Sequence, residues 1–95
     1  MNELIIYESE NGVQVEVRFD GETIWATQRQ ISELFETTPQ NITLHLKKVY
    51  AENEIEKKAT CKEYLQVQTE GKRQVKRKQT FYNLDAILSV GYNWN

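Results

Sequence analysis

An α+β fold is predicted by three changes of pattern along the chain. Residues 3–25 alternate apolar and polar side chains around tight-turn dipeptides, residues 27–51 switch to helical spacing behind capping residues, and residues 61–82 return to alternation before a last short helical stretch. Alternation of period two marks a half-buried strand, whereas apolar residues three and four apart mark one face of a helix. Ninety-five residues fit one domain, 1–95, with a single modest core.

The first strand runs over Glu3 to Ser9 on Leu4, Ile5, Ile6 and Tyr7, and Asn11-Gly12 is a strong hairpin signal. Val13, Val15, Val17 and Phe19 then alternate with polar residues, Asp20-Gly21 turns the chain, and Thr23 to Trp25 forms a short third strand. At Thr27 the pattern changes. Thr27 followed by Gln30 has the form of a capping box, and Ile31, Leu34 and Phe35 fall on one helical face with Gln28, Arg29, Ser32 and Glu33 on the wet side. Thr38 is placed to cap a second helix that starts at Pro39, where a missing N–H costs nothing, and that buries Ile42, Leu46 or His45, and Val49 as far as about Ala51. Two helices joined by about three residues have helix-turn-helix geometry. Beyond the charge-dense stretch from Glu54 to Lys62, Tyr64 to Gln68 alternates as a strand, Glu70-Gly71 turns it, and Lys72 to Tyr82 returns. Asn83 caps a final helix over 84–91 in which Leu84, Ile87 and Leu88 repeat, with Gly91 as its stop signal. The expected architecture is a winged helix-turn-helix: an N-terminal antiparallel hairpin or small sheet, the helix pair 27–51, a basic hairpin wing 61–82 and a short C-terminal helix. The closing Gly91-Tyr92-Asn93-Trp94-Asn95 leaves two large aromatics at a terminus, which fits a domain cut from a longer chain or a tail docked on the core.

The formal charge of −2 conceals an asymmetry. Residues 1–36 hold eight acids against Arg18 and Arg29, a balance of −6, and residues 37–95 hold six acids against ten Lys and Arg, a balance of +4. Such a split points to a nucleic-acid face and is also compatible with an acidic protein partner or a lipid surface. No apolar run is long enough to span a bilayer and no signal-peptide order opens the chain, so a cytoplasmic location without a membrane role is expected. Cys61 has no second cysteine to pair with, which excludes an internal disulfide and leaves a small, partly buried side chain. His45 has the phase of a packed histidine. With no second His, no carboxylate cluster at ligand spacing around Glu63 or Asp85, and no Gly-rich phosphate loop, neither metal, cofactor, small-molecule ligand nor catalysis is expected.

A second helix of this kind enters the major groove and reads base edges from its first turns. Its exposed positions are Gln40, Asn41, Thr43 and Leu44, followed by Lys47 and Lys48 suited to phosphates, with Thr38 at the helix N-terminus as a further phosphate contact. On the returning arm of the wing, Lys72, Arg73, Lys76, Arg77 and Lys78 carry no acid among them and suit the phosphate backbone. The expected partner is therefore double-stranded DNA. The alternative is an interaction module that presents Leu44, Trp94 and the acidic N-terminal sheet to a partner protein or to a second copy of itself.

Four blocks carry a family resemblance: Trp25-Ala26-Thr27-Gln28, Ile31 to Phe35, Ile42 to Val49, and most specifically Phe81 to Tyr92 with its Tyr-Asn-Leu-Asp-Ala-Ile core. Together with Val15 to Phe19 they resemble the N-terminal region of the RhuM-like bacterial virulence-associated proteins, over essentially the whole chain. The resemblance implies DNA binding without naming a pathway, and it implies a chain that continues past the Gly91-Tyr92 pair; a bacterial transcription regulator is the role expected for such a domain. Two positions depart from it: Glu36 stands where such turns commonly carry Gly, and Leu44 where a basic residue is usual.

Overall fold

The computed structural model describes residues 3–8, 11–52 and 55–92, and of Gln66 the backbone alone. Five strands and four helices follow in the order β1 (Glu3–Glu8), β2 (Gln14–Phe19), β3 (Ile24–Ala26), α1 (Gln28–Leu34), α2 (Pro39–Ala51), α3 (Lys57–Thr60), β4 (Cys61–Glu70), β5 (Arg73–Asn83) and α4 (Leu84–Tyr92). The strands form one antiparallel sheet in the order β1-β2-β3-β5-β4. Local alternation reveals the two hairpins. What joins them is the pairing of Trp25 with Asn83 and of Ala26 with Tyr82, which seals the base of the long hairpin onto the N-terminal strands.

Opposed residues in an antiparallel pair share a face, so the register sorts every strand residue. Val15, Val17 and Ala26 lie on the face covered by helices and join Ile31, Ile42, Leu46, Ala86, Ile87 and Val90 in the core. Trp25 and Phe81 are buried on the other face. There Asp20 accepts the indole N–H of Trp25 at 2.7 Å, Lys62 stands 4.4 Å above the Trp25 ring, and Tyr64 meets Phe81 edge-on at 5.7 Å. Asp20 also accepts the backbone N–H groups of Thr23 and Glu22, and these bonds, ahead of the indole, hold its carboxyl down at about 2.

Helix α1 opens with both halves of the capping box: Thr27 accepts the N–H of Gln30 at 3.2 Å and Gln30 accepts the N–H of Thr27 at 2.9 Å. It closes in a Schellman arrangement, with Thr37 N–H on the Ser32 carbonyl and Glu36 N–H on the Glu33 carbonyl. Glu36 adopts φ of 55°, the left-handed conformation that this closure demands and glycine favours. Thr38 caps α2 by accepting the Asn41 N–H, Pro39 begins it, and Ile42, Leu46 and Val49 are buried, so Leu46 rather than His45 fills the core position. The turn between β4 and β5 holds only Gly71 and Lys72, with φ of 62° at Gly71, the glycine-first pattern that suits strand twist.

Two expectations for α4 need correcting. Asn83 does cap the helix, accepting the Ala86 N–H at 3.1 Å, but Gly91 does not stop it, since α4 runs on through Tyr92. Gly91 serves a close approach instead: a Cβ there would lie 3.0 Å from Cζ of Phe35. Of the leucine-rich repeat, only Ile87 is buried. Ala86 and Val90 complete the inner face, and Leu84 and Leu88 point outward. The single turn α3 was not anticipated. It is held by the Thr60 hydroxyl donating to the Glu56 carbonyl at 2.7 Å and by the Asn83 amide donating to the Ala59 carbonyl at 3.3 Å.

Candidate nucleic-acid interface

Helix α2 packs Ile42, Leu46 and Val49 inward, and the geometry of 3.6 residues per turn puts Gln40, Asn41, Leu44, Lys47 and Lys48 outward. All five are exposed, and Leu44 is exposed to 64 % in the middle of a polar stripe. The remaining two α2 candidates are committed within the protein. Thr38 is the helix cap. The Thr43 hydroxyl donates to the Pro39 carbonyl at 3.0 Å and accepts from the Gln28 amide at 2.6 Å, which leaves chiefly its methyl to face outward. Asn41 donates one amide hydrogen to the Thr37 hydroxyl at 3.0 Å, so its amide is oriented, and its carbonyl oxygen and second N–H are left to recognise a ligand.

Gln28 is the residue that sequence reading assigned to the wet side of α1 without a task. From the first turn of α1 it reaches the first turns of α2 and fixes how the two helices meet. It also lines a groove of about 360 Å³ with Thr43, Leu46, Lys47, Tyr50, Lys57 and Tyr82. Lys57 stands 5.9 Å over the Tyr50 ring, and the Tyr50 hydroxyl bonds that of Thr60 at 3.0 Å. Burial raises the Tyr50 phenol, and burial first, then the neighbouring Cys61, raises that of Tyr82 to about 12; both stay neutral beside the two lysines. Burial likewise raises the Cys61 thiol, which favours its protonated form.

The long hairpin divides its cations between two faces. Tyr82 lies on the helix side, against the α2 groove, and alternation along β5 carries that face outward through Thr80, Lys78 and Lys76. Their partners across the pair are Leu65 opposite Lys78 and Val67 opposite Lys76, both well exposed. Arg77 and Arg73 share the opposite face with Phe81, Gln79 and Val75. Arg77 is clamped there by Glu70, with Nε to Oε1 at 2.7 Å and Nη2 to Oε2 at 2.9 Å. Lys72 sits in the turn. The five basic residues of the arm thus form a lysine pair on the α2 side, an arginine pair on the far side with one member paired, and a tip.

Sheet order turns the charge split along the chain into a split across the molecule. Glu3, Glu8 and Glu16 lie on β1 and β2 at one edge, and the hairpin β4–β5 forms the other. Trp94, the aromatic considered for partner contact, lies outside the described residues, as does Glu10 before the first turn. Among the described residues no helix is long and apolar enough to cross a membrane, and no group of three His, Cys, Asp or Glu side chains is placed to hold a metal ion.

Residues 59–95, which hold β4, β5 and α4, match the family model for the Virulence protein RhuM family. The resemblance read from the Phe81 to Tyr92 block is borne out over that segment, which does not include α1 or α2. No curated protein and no solved structure matches the chain.

Proposed function

We propose that this protein binds double-stranded DNA as a winged helix-turn-helix domain of a transcription regulator, with α2 in the major groove and the β4–β5 hairpin on the phosphate backbone. The observation that carries this reading is the groove between α2 and the base of the hairpin, where Lys47 and Lys57 stand with Tyr82; Gln40, Asn41 and Lys48 are exposed on the same helix, and Lys76 and Lys78 lie further along the strand face that Tyr82 begins. Cations on both sides of a reading helix hold it in register on phosphates, and its amides then select among bases. Asn41 and Gln40 suit adenine, and Leu44 suits a thymine methyl in place of a phosphate contact. Gln28 and Thr43 set the orientation of the helix. The acids at the β1–β2 edge lie away from this surface and favour a single docking direction. The role is one of binding rather than catalysis, and the cytoplasm is where a regulator of this kind acts.

Fluorescence anisotropy on a random-sequence duplex tests it. Log affinity should fall with log salt by roughly 0.9 for each phosphate neutralised. Replacing Lys76 and Lys78 by Ala should lower both affinity and slope, by nearly two contacts' worth, while Arg77→Ala changes little because Glu70 already satisfies that guanidinium. No duplex binding at low salt, or binding indifferent to the lysine pair, refutes the reading. Asn41→Ala should instead shift preference among sequences at unchanged salt slope.

A further inference from the structure

Strand β1 is the one element whose described residues are all exposed, although four of its six side chains are large and apolar. It forms an edge of the sheet, so among the described residues no strand pairs with one side of its backbone. Edges of soluble proteins are normally guarded by inward-pointing charges, Lys or Pro; β1 has none of these, its only charges being Glu3 and Glu8 at the two ends. Beside it, α4 presents an outward stripe of Leu84, Leu88 and Tyr92 at 37 %, 59 % and 87 % exposure, and Leu84 and Leu88 line a groove of about 440 Å³ together with Ile5 and Tyr7. The apolar side chains of β1 and this stripe together expose on the order of 800 Å², close to what one partner buries in a stable interface.

We infer that β1 is a dimerisation edge, and that a second copy of the chain adds its own β1 antiparallel to it with Ile5 opposite Ile5. A two-fold axis that joins two edges antiparallel keeps both helix-covered faces on the same side, and a residue must then oppose its own copy. Centring on Ile6 would set Leu4 against Glu8, and centring on Leu4 would set Glu3 against Ile5. Centring on Ile5 sets Leu4 against Ile6 twice and Glu3 against Tyr7, so no acid faces an aliphatic or another acid. Ile5 and Tyr7 lie on the helix side, opposite Val17 and Val15. The same register therefore brings the Leu84–Leu88 stripes of the two copies to either side of the Ile5 pair, and a ten-stranded sheet results. β2 and β3 separate this edge from the β4–β5 hairpin, leaving α2 and the lysine pair free in both copies.

Light scattering on the intact chain without DNA should give twice the monomer mass across the micromolar range, and Leu4→Lys with Ile6→Lys should halve it. Both positions are solvent-facing, and retained far-UV circular dichroism checks that the variant still folds. In a Cys61→Ser background, Ile5→Cys should link two chains on oxidation, because directly opposed residues lie within the Cα separation that disulfides span, while Gln14→Cys on β2 should not. A chain that is monomeric at every concentration overturns the inference. So does a dimer that survives both lysines and fails to cross-link through residue 5. These measurements are made without DNA, so their failure leaves the proposed function standing, and loss of duplex binding leaves the dimer standing.

Discussion

Glu36 holds the connection between α1 and α2 in a conformation its own side chain opposes, and replacing it by glycine should stabilise the protein. With φ of 55°, its Cβ crowds the backbone, at a cost of roughly 1–2 kcal/mol relative to a right-handed residue. Glycine removes that cost but brings back about 0.5–1 kcal/mol of unfolded-state freedom. The substitution also gives up the Asn11 amide bond to the Glu36 carboxylate, 2.8 Å long but exposed, which contributes about 0.5 kcal/mol. The midpoints give a net gain of about 0.25 kcal/mol for Glu36→Gly, a rise in Tm of roughly 1–2 °C for a domain of this size. Glu36→Ala loses the same bond and keeps the strain, so it should fall about 0.5 kcal/mol below the parent protein. Equilibrium urea unfolding of the three proteins measures both differences, with unchanged m-values as the sign that only stability moved. A glycine variant no more stable than the alanine variant would show that the left-handed turn stores no strain.

Gly91→Ala sets a methyl at 3.0–3.1 Å from the Phe35 ring, an overpacking cost of about 1–3 kcal/mol offset by about 1 kcal/mol of helix propensity, so a net loss of up to about 2 kcal/mol is expected, and Phe35→Leu in the same chain should recover part of it on thermal unfolding. Asn83→Ala removes the α4 cap and the bond to Ala59, and urea titration should read a cost of about 1–2 kcal/mol, whereas Asn83→Asp keeps the cap but sets an acceptor against the Ala59 carbonyl and should recover only part of it. Asp20 has a folded pKa of about 2 against an ordinary 3.8, so its stabilisation is complete above pH 3.8 and drains away as pH falls toward 2. Asp20→Asn should therefore show a shallower loss of stability over that window; an acid-unfolding curve parallel to that of the parent would refute the assignment.

What the sequence made legible was whatever neighbouring residues decide among themselves. The Thr27–Gln30 box, the Thr38-Pro39 start and the Gly71 turn are contacts within four residues, and each formed where its pattern predicted. Helical period identified α4 but not its inward side, because Leu84 and Leu88 fit one stripe as well as Ala86 and Val90 fit another, and packing against α2 and the sheet, distant in sequence, settles the choice. The β3–β5 pairing had no local signature at all, yet it turns an acidic half and a basic half into opposite edges of one sheet. The division of the basic arm was within reach, since residues 76 and 78 must face away from residues 73 and 77 in any strand. Counting cations without asking which side they occupy merged a lysine pair on the helix-side face with an arginine pair on the far face, one of whose members Glu70 holds. Charge along a strand informs about a binding surface only once its parity is known. For this protein that parity makes Lys76 and Lys78, rather than the whole arm, the residues that carry the proposed grip on DNA.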